Sequence, residues 1–438
     1  MTTLDIPSIT AEQPSVLLNA PQWFTDAQTA AWQTFIDTPA PSRKMETWRF
    51  GELKQLDFSQ FTPAAFADSE DIDVQISGLD ETAAQFIFAN DSLVHAEADL
   101  PEGVICLPLE DALQEHAELV EKYFMKGDTK LGSAKFAALH KAHVSNGLFV
   151  YVPKGVEVAK PIEVYHIVAG ESCAIFPHTL IITEENAKVT VVDYFKSADT
   201  SSSQISNNKS QMSLVIAMND LIAGAGSQLN YTAIQDLNLS SKIIQINNTV
   251  AERDANAKAF TLNVGSAWAR NESFSLLAGK GSNSDMLSIN IPTGEQKFDQ
   301  RTFQHHAAPH TTSNLLYKNT LYGKSKTVFS GLITVDPGAH FTDAYQTCRN
   351  LLMDDTTEVN SMPGLQISAD QVKCSHGSTA SAISDEEIFY LMARGIQPRK
   401  ARQLIARGFS VEVVERIGNE ALEALVLSYI DAKFATAV

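Results

Sequence analysis

The chain contains no run of about 20 apolar residues, the length a helix needs to cross a bilayer. Its start, Met1-Thr2-Thr3-Leu4-Asp5, lacks the basic and apolar regions of a secretory signal, so a cytoplasmic protein away from the membrane is expected. Positive charge is scarce: 33 Lys and Arg stand against 52 Asp and Glu, a formal charge of −19. Nucleic acids and anionic membranes are gripped by clustered cations, and with no such cluster neither is an expected partner. Cysteine is limited to Cys106, Cys173, Cys348 and Cys374, widely separated and without a Cys-x-x-Cys pair. In a reducing cytosol these are free thiols, each either buried or reactive; Cys106 and Cys173 are read as structural. There is no Gly-x-x-x-x-Gly-Lys-Ser/Thr loop, no Gly-x-Ser-x-Gly elbow and no His-Glu-x-x-His pair, so nucleotide hydrolysis, esterase chemistry and zinc proteolysis find no support. No ATP site is expected in this chain, and any ATP-driven step it serves would be powered by a partner.

What is present is a folded composition, 44% apolar, over 438 residues, too long for one ordinary core. Two or three domains, or one elongated repetitive domain, are expected. Residues 1–146 read as a helical and irregular domain. Thr25-Asp26-Ala27-Gln28 has the form of a capping box, with Ala31, Trp32 and Phe35 as the stripe behind it and Pro39 as the stop. Leu109, Leu113, Ala117, Val120 and Phe124 predict a second helix ending at Gly127, and Phe136, Leu139, His140 and His143 a third. From 147 to about 380 the period changes to short strand-like runs such as 189–192, 229–234, 243–250 and 328–335, separated by Gly-, Asn- and Asp-rich turns. A sandwich, a large barrel or a solenoid would satisfy this pattern. Irregular spacing and missing hairpin dipeptides favour a parallel β-helix. Residues 381–438 are helical again: Ser384 caps one helix and Gly395 ends it, Pro398 opens a second that Gly408 ends, and Ser410 caps a third. Their apolar stripes, Ile388/Leu391/Met392 among them, read as core, and such a unit is expected to cover the solenoid's last rung while leaving one face free.

The chemistry concentrates in Cys374-Ser375-His376. In an extended segment residues two apart share a face, so thiol and imidazole could meet one metal centre. Two ligands do not close a four-coordinate site, and others would come from elsewhere in the fold or from a partner. A buried cysteine beside a hydrogen-bonded histidine is the plainer alternative. His305, His306 and His310 form the densest histidine group, but Pro309 opposes a helix there, and a strand-to-turn junction is the expected setting.

Several segments together resemble one family. They are Lys373-Cys374-Ser375-His376-Gly377, the capped run Ser384 to Ile396, Phe303 to Asn314, Phe329-Ser330-Gly331, Val335-Asp336-Pro337-Gly338 and, more loosely, Glu46-Thr47-Trp48-Arg49-Phe50. The chain resembles the SufB/SufD family of iron–sulfur cluster assembly subunits, on the SufD side. The resemblance implies a right-handed parallel β-helix flanked by N-terminal helical and C-terminal helical domains. It also implies a non-catalytic scaffold that pairs with a SufB paralogue through late strands, binds the ATPase SufC through its C-terminal helices, and helps form a transient cluster. Cys374 and His376 would then lie at the subunit interface. Cys348, in Gln346-Thr347-Cys348-Arg349-Asn350-Leu351-Leu352, resembles a functional cysteine of SufB chains and departs from SufD chains. It reads as an inward packing thiol with a ligand role open, and as essential if the chain is instead a self-sufficient, SufB-like homodimer. A β-helix enzyme acting on polysaccharides is a third reading, but Asp285, Glu295 and Asp299 form no evident carboxylate cluster.

Overall fold

The structure, a computed structural model, describes residues 8–15, 17, 19–65, 78–127, 129–198 and 212–437. The N-terminal part contains α1 (Gln22–Asp37), β1 (Thr62–Pro63), β2 (Ala84–Ala89), β3 (Ser92–Ala98), β4 (Ile105–Pro108), α2 (Leu109–Glu115), α3 (Ala117–Tyr123) and α4 (Ala134–His143). The solenoid follows. Its first two turns are β5 (Gly147–Val152) with β6 (Ile162–Val168), and, after the short β7 (Cys173–Ile175), β8 (His178–Thr183) with β9 (Lys188–Ser197). Six longer turns follow: β10 (Ser213–Ala223) and β11 (Gln228–Asp236), β12 (Lys242–Ala251) and β13 (Asn256–Asn263), β14 (Trp268–Leu277) and β15 (Asn283–Asn290), β16 (Lys297–His306) and β17 (Thr312–Leu321), β18 (Lys326–Val335) and β19 (Asp343–Leu352), β20 (Glu358–Ile367) and β21 (Lys373–Ala382). The chain ends in α5 (Asp385–Met392), α6 (Pro398–Val414) and α7 (Glu420–Ala437).

Within each turn one strand joins a first sheet and the next joins a second, and every solenoid strand pairs in parallel with its counterpart one turn away. The result is a two-sheet parallel β-solenoid of eight turns. The corner between the sheets explains why the turns stack. It holds a left-handed residue in successive turns: Asn186, Gly226, Asp254, Gly281, His310, Phe341 and Gln371. Asn, Asp and Gly reach that region at little cost. The amide of each corner from Asn186 to Phe341 donates to a carbonyl in the next turn, as in Asp254 N–H to Lys280 O at 2.9 Å and His310 N–H to His340 O at 2.9 Å.

Alternation decides what each strand buries. Early inward residues are apolar, such as Leu148, Val150, Val164 and Ile181. Later ones include many polar side chains that pair with one another, as in Asn219 Nδ2 to Asn247 Oδ1 at 2.7 Å, Asn263 to Asn290 at 2.7 Å and Asn319 to Asn350 at 2.7 Å, beside an apolar cluster of Met286, Leu315, Tyr317 and Phe329. Outward faces are buried too. Helix α4 and the 43–61 segment lie on the first sheet around Trp48, Phe136, Ile244 and Trp268, and α6 and α7 lie on the second around Phe260, Leu287, Val413, Val426 and Ile430.

Several expectations are corrected. The N-terminal region, expected to be helical and irregular, also contributes strands, and β2 and β4 extend the two sheets at their first edge. Helix α1 begins at Gln22, and Thr25 sits inside it with its hydroxyl on the Gln22 carbonyl, so the anticipated capping box is unused. The second helix is broken at His116. Gly408 and Ser410 are interior to α6, the Ser410 hydroxyl donating to Ala406 O at 3.1 Å; the real break is at Gly418, where φ is +74°. The terminal helices do not cover the last turn. They flank the second sheet, held by Lys318 to Glu412 at 2.6 Å, Arg402 to Asp354 at 3.2 Å and Lys433 to Gln296 at 2.9 Å, and β20 and β21 end the two sheets with free edges.

Candidate functional site at the open end of the solenoid

On β19 the buried residues Ala344, Gln346, Cys348 and Asn350 point inward. The parallel register sets Cys374 beside Ala344, His376 beside Gln346, Ser378 beside Cys348 and Ala380 beside Asn350. Cys374 and His376 therefore occupy one inward-facing row, and with no ninth turn above them that row forms the rim of the lumen. Cys374 is half-buried against the cluster of Ile333, Val335, Ala339 and Ala344, and burial, with Asp343 nearby, pushes its thiol up. His376 is exposed. Across the rim, Ser378 Oγ and Ser361 Oγ are 2.7 Å apart, tying β21 to β20.

Cys348 lies one turn below and is fully buried. Asn319 Nδ2 approaches its sulfur at 3.6 Å and Asn350 Nδ2 at 3.7 Å, while Met286, Leu315, Tyr317 and Phe329 complete its surroundings. Burial pushes this thiol up to about 12, so it is a neutral packed group in the closed solenoid. The structure brings Cys374 and His376 together at the rim and holds Cys348 beneath them. Among the described residues no three His, Cys, Asp or Glu side chains converge in a way that could hold a metal ion. What the chain presents at this edge is a thiol and an imidazole, side chains of types able to ligate metal.

The remaining candidates do not converge on the rim. His305 meets Asp336 at 2.9 Å, His306 is buried between Thr311 and Ser313, and His310 stacks on Phe341 with centroids 4.7 Å apart. Asp299 is locked to Arg270 and Arg301 on the outside of the first sheet, Asp285 faces out from the second, and Glu295 lies in a turn, so these three carboxylates do not come together. Cys106 and Cys173 are buried in the early turns.

A second feature was hidden in the sequence. Ser384 does cap α5, its hydroxyl accepting from Glu387 N–H at 3.3 Å, but the stripe on α5 is not core. Phe389 is 71% and Tyr390 56% exposed, Met392 and Leu404 are exposed as well, and Arg394 stacks 3.4 Å from the Tyr390 ring. The apolar composition of α5 was visible; that the solenoid offers it no surface was not.

Comparison with known proteins agrees with this architecture. The family model described as "SUF system FeS cluster assembly, SufBD core domain" matches residues 166–409, and "SufBD protein N-terminal region" matches 10–164. The chain belongs to the SufBD family of the SUF system for iron–sulfur cluster assembly. Within that family its similar relatives include the iron–sulfur cluster assembly protein SufD of Escherichia coli strain K12, 30% identical over 91% of this chain and 90% of the relative. SufD of Bacillus subtilis strain 168 is 25% identical over 94% of each, and a SufBD family protein of Staphylococcus epidermidis is 27% identical over 90% of this chain and 86% of the relative.

Proposed function

We propose that this chain is a scaffold subunit without catalysis of its own, presenting Cys374 and His376 to a nascent iron–sulfur cluster whose other ligands come from a SufB-type partner. The observation that carries this reading is the placement of a thiol and an imidazole on one rim row beside two unpaired strand edges, with no third His, Cys, Asp or Glu converging on them among the described residues. A neutral imidazole binds iron reversibly, and a shell divided between two proteins can let the cluster go when their interface moves. The cluster is cargo here, and Cys348 is a reserve ligand one turn down. The free edges of β20 and β21 suit pairing with a paralogous solenoid, or with a second copy when the chain is alone. The exposed face of α5 suits the ATPase SufC, whose nucleotide-driven movements would reach the solenoid through α6 and α7.

The test is iron and acid-labile sulfide in the anaerobically purified complex, with the chain co-expressed beside its SufB and SufC. Wild type is expected to carry cluster, and His376→Ala and Cys374→Ser to lose most of it while the complex stays intact. An undiminished cluster in both variants would remove the rim from the chemistry. Loss on Cys348→Ser alone would favour the SufB-like homodimer.

A further inference from the structure

The segment 43–61 crosses the outside of the first sheet and is held in an unusual way. Its own main-chain hydrogen bonds close locally: Trp48 N–H to Met45 O, Arg49 to Glu46, Gly51 to Trp48, Gln55 to Glu52 and Phe61 to Phe58. The solenoid instead reaches up to it with cations that grasp main-chain carbonyls. Lys242 Nζ meets Gln55 O at 2.9 Å, Arg270 Nη2 meets Thr47 O at 3.0 Å, and Arg301 Nη2 meets Arg49 O at 2.9 Å. These cations come from β12, β14 and β16, one per turn.

Two of them belong to a buried lattice of four charges. Arg270 pairs with Glu272 at 2.7 Å and with Asp299 at 2.6 Å, and Asp299 with Arg301 at 2.6 Å. Trp48, fully buried, lies 3.7 Å from the Arg270 guanidinium and donates its indole N–H to Gly132 O at 2.9 Å. The fit is close: Gly132 has a φ of +120°, and a Cβ there would press on Thr47 and Arg270. With two positive and two negative groups the lattice is balanced within the solenoid. To the lattice itself the overlying segment therefore contributes carbonyl acceptors and the Trp48 ring, not a counter-charge; its own charge contacts lie to either side, Glu52 with Lys297 at 3.3 Å and Asp57 near Lys242, whose ammonium also sits over the Phe58 and Phe61 rings. Lifting it replaces those acceptors with water and gives up the part-exposed Glu52–Lys297 pair but leaves the lattice's buried ion pairs whole, whereas opening the strands would break those pairs and the ladder together.

We propose that residues 43–61 form a strap that lifts from the solenoid as a unit, with Trp48 on the Arg270–Glu272–Asp299–Arg301 lattice as its catch. The catch stands on β14 and β16, and β16 is two places from the free edge in the order β16–β18–β20. The strap is thus an N-terminal cover seated close to the open end, and its opening would bare the outward faces of Arg270, Trp268 and Ile244 without unwinding a turn.

Hydrogen exchange read by mass spectrometry on the full-length protein tests this. In the wild type, amides of 45–61 are expected to exchange at least about tenfold faster than those of β12, β14 and β16, because a sub-global opening costs less than unfolding the strands. Trp48→Ala is expected to speed the strap by about a further tenfold and leave the strands unchanged. Equal strap and strand rates in the wild type, or an unchanged strap in Trp48→Ala, would overturn the proposal. Should Trp48→Ala fail to fold, the wild-type comparison still decides, and Lys242→Gln supplies a milder variant with the same readout.

Discussion

His143 stacks on Phe176 with ring centroids 4.6 Å apart, its Nε2 lies 2.9 Å from the Ile9 carbonyl oxygen, and burial holds the imidazole down to about 4. In the unfolded chain the same group titrates near 6.5. The folded state therefore resists the proton, so this contribution to stability is intact above pH 6.5 and is lost as pH falls toward 4. Other buried groups complicate the total: His306 is also held down to about 4, while Asp91 and Asp193 are pushed up to about 7 by burial and act in the opposite sense between their unfolded value and 7. A difference of differences isolates the residue. Between pH 7 and pH 5, His143→Phe should lose about 2 kcal/mol less unfolding free energy than the wild type. Urea denaturation at the two pH values checks this, and equal losses would show that His143 already accepts a proton in the fold. At this scale the sequence was readable where spacing alone carries the information. Cys374 and His376 two apart in a strand had to share a face. It was not readable where the partner is distant in the chain: nothing near Trp48 announces Arg270, and nothing near Cys348 announces Asn319.

Elements were legible where their pattern was apolar. The runs within β9, β11, β12 and β18 announce themselves by Val, Ile and Leu, but the inward rows of β16, β17, β19 and β21 mix Gln, Asn, Ser, Thr and His with a few apolar residues, because amide ladders run through the late lumen. A period-2 reading that looks for an apolar face passes over such strands. Helix ends were misjudged for a related reason. Gly408 looked like a stop, yet α6 runs through it, its φ is not positive, and a Cβ there would meet nothing within 4 Å. A mid-helix glycine with open space is a weak point, so Gly408→Ala is expected to stabilise the protein by about 0.5–1 kcal/mol. Were Gly408 a left-handed terminator, the same change would destabilise it. The thermal midpoint of the purified variant separates the two.

At the scale of the whole molecule, the second sheet's outer face is covered by the terminal helices, the first sheet's by the N-terminal region as far as β16, and the early end of the solenoid by β2, β3 and β4. Among the described residues, the late end alone is bare. Two strand edges side by side are a template for pairing, and natural proteins seldom leave such edges open without a partner. The direction of the free amides can be read from the ladder. Lys373 N–H donates to Thr342 O and Ile383 N–H to Leu352 O, both toward β19, and a parallel strand turns alternate amides to alternate sides, so the N–H of Ala380 points away at the free edge. Proline at position 380 would remove a donor the fold does not use, and proline is tolerated on edge strands for that reason. At Thr379 the donor faces β19, and proline would cost a ladder bond. Ala380→Pro is therefore expected to keep the wild-type thermal midpoint within a few degrees while weakening capture of a SufB-type partner, or self-association of the isolated chain, by at least about tenfold, since pairing at an edge draws its affinity from main-chain hydrogen bonds. Thr379→Pro should lower the midpoint as well. Sedimentation velocity and co-purification of the two variants decide the matter: if Ala380→Pro associates like the wild type, the bare end of the solenoid does not pair through β21.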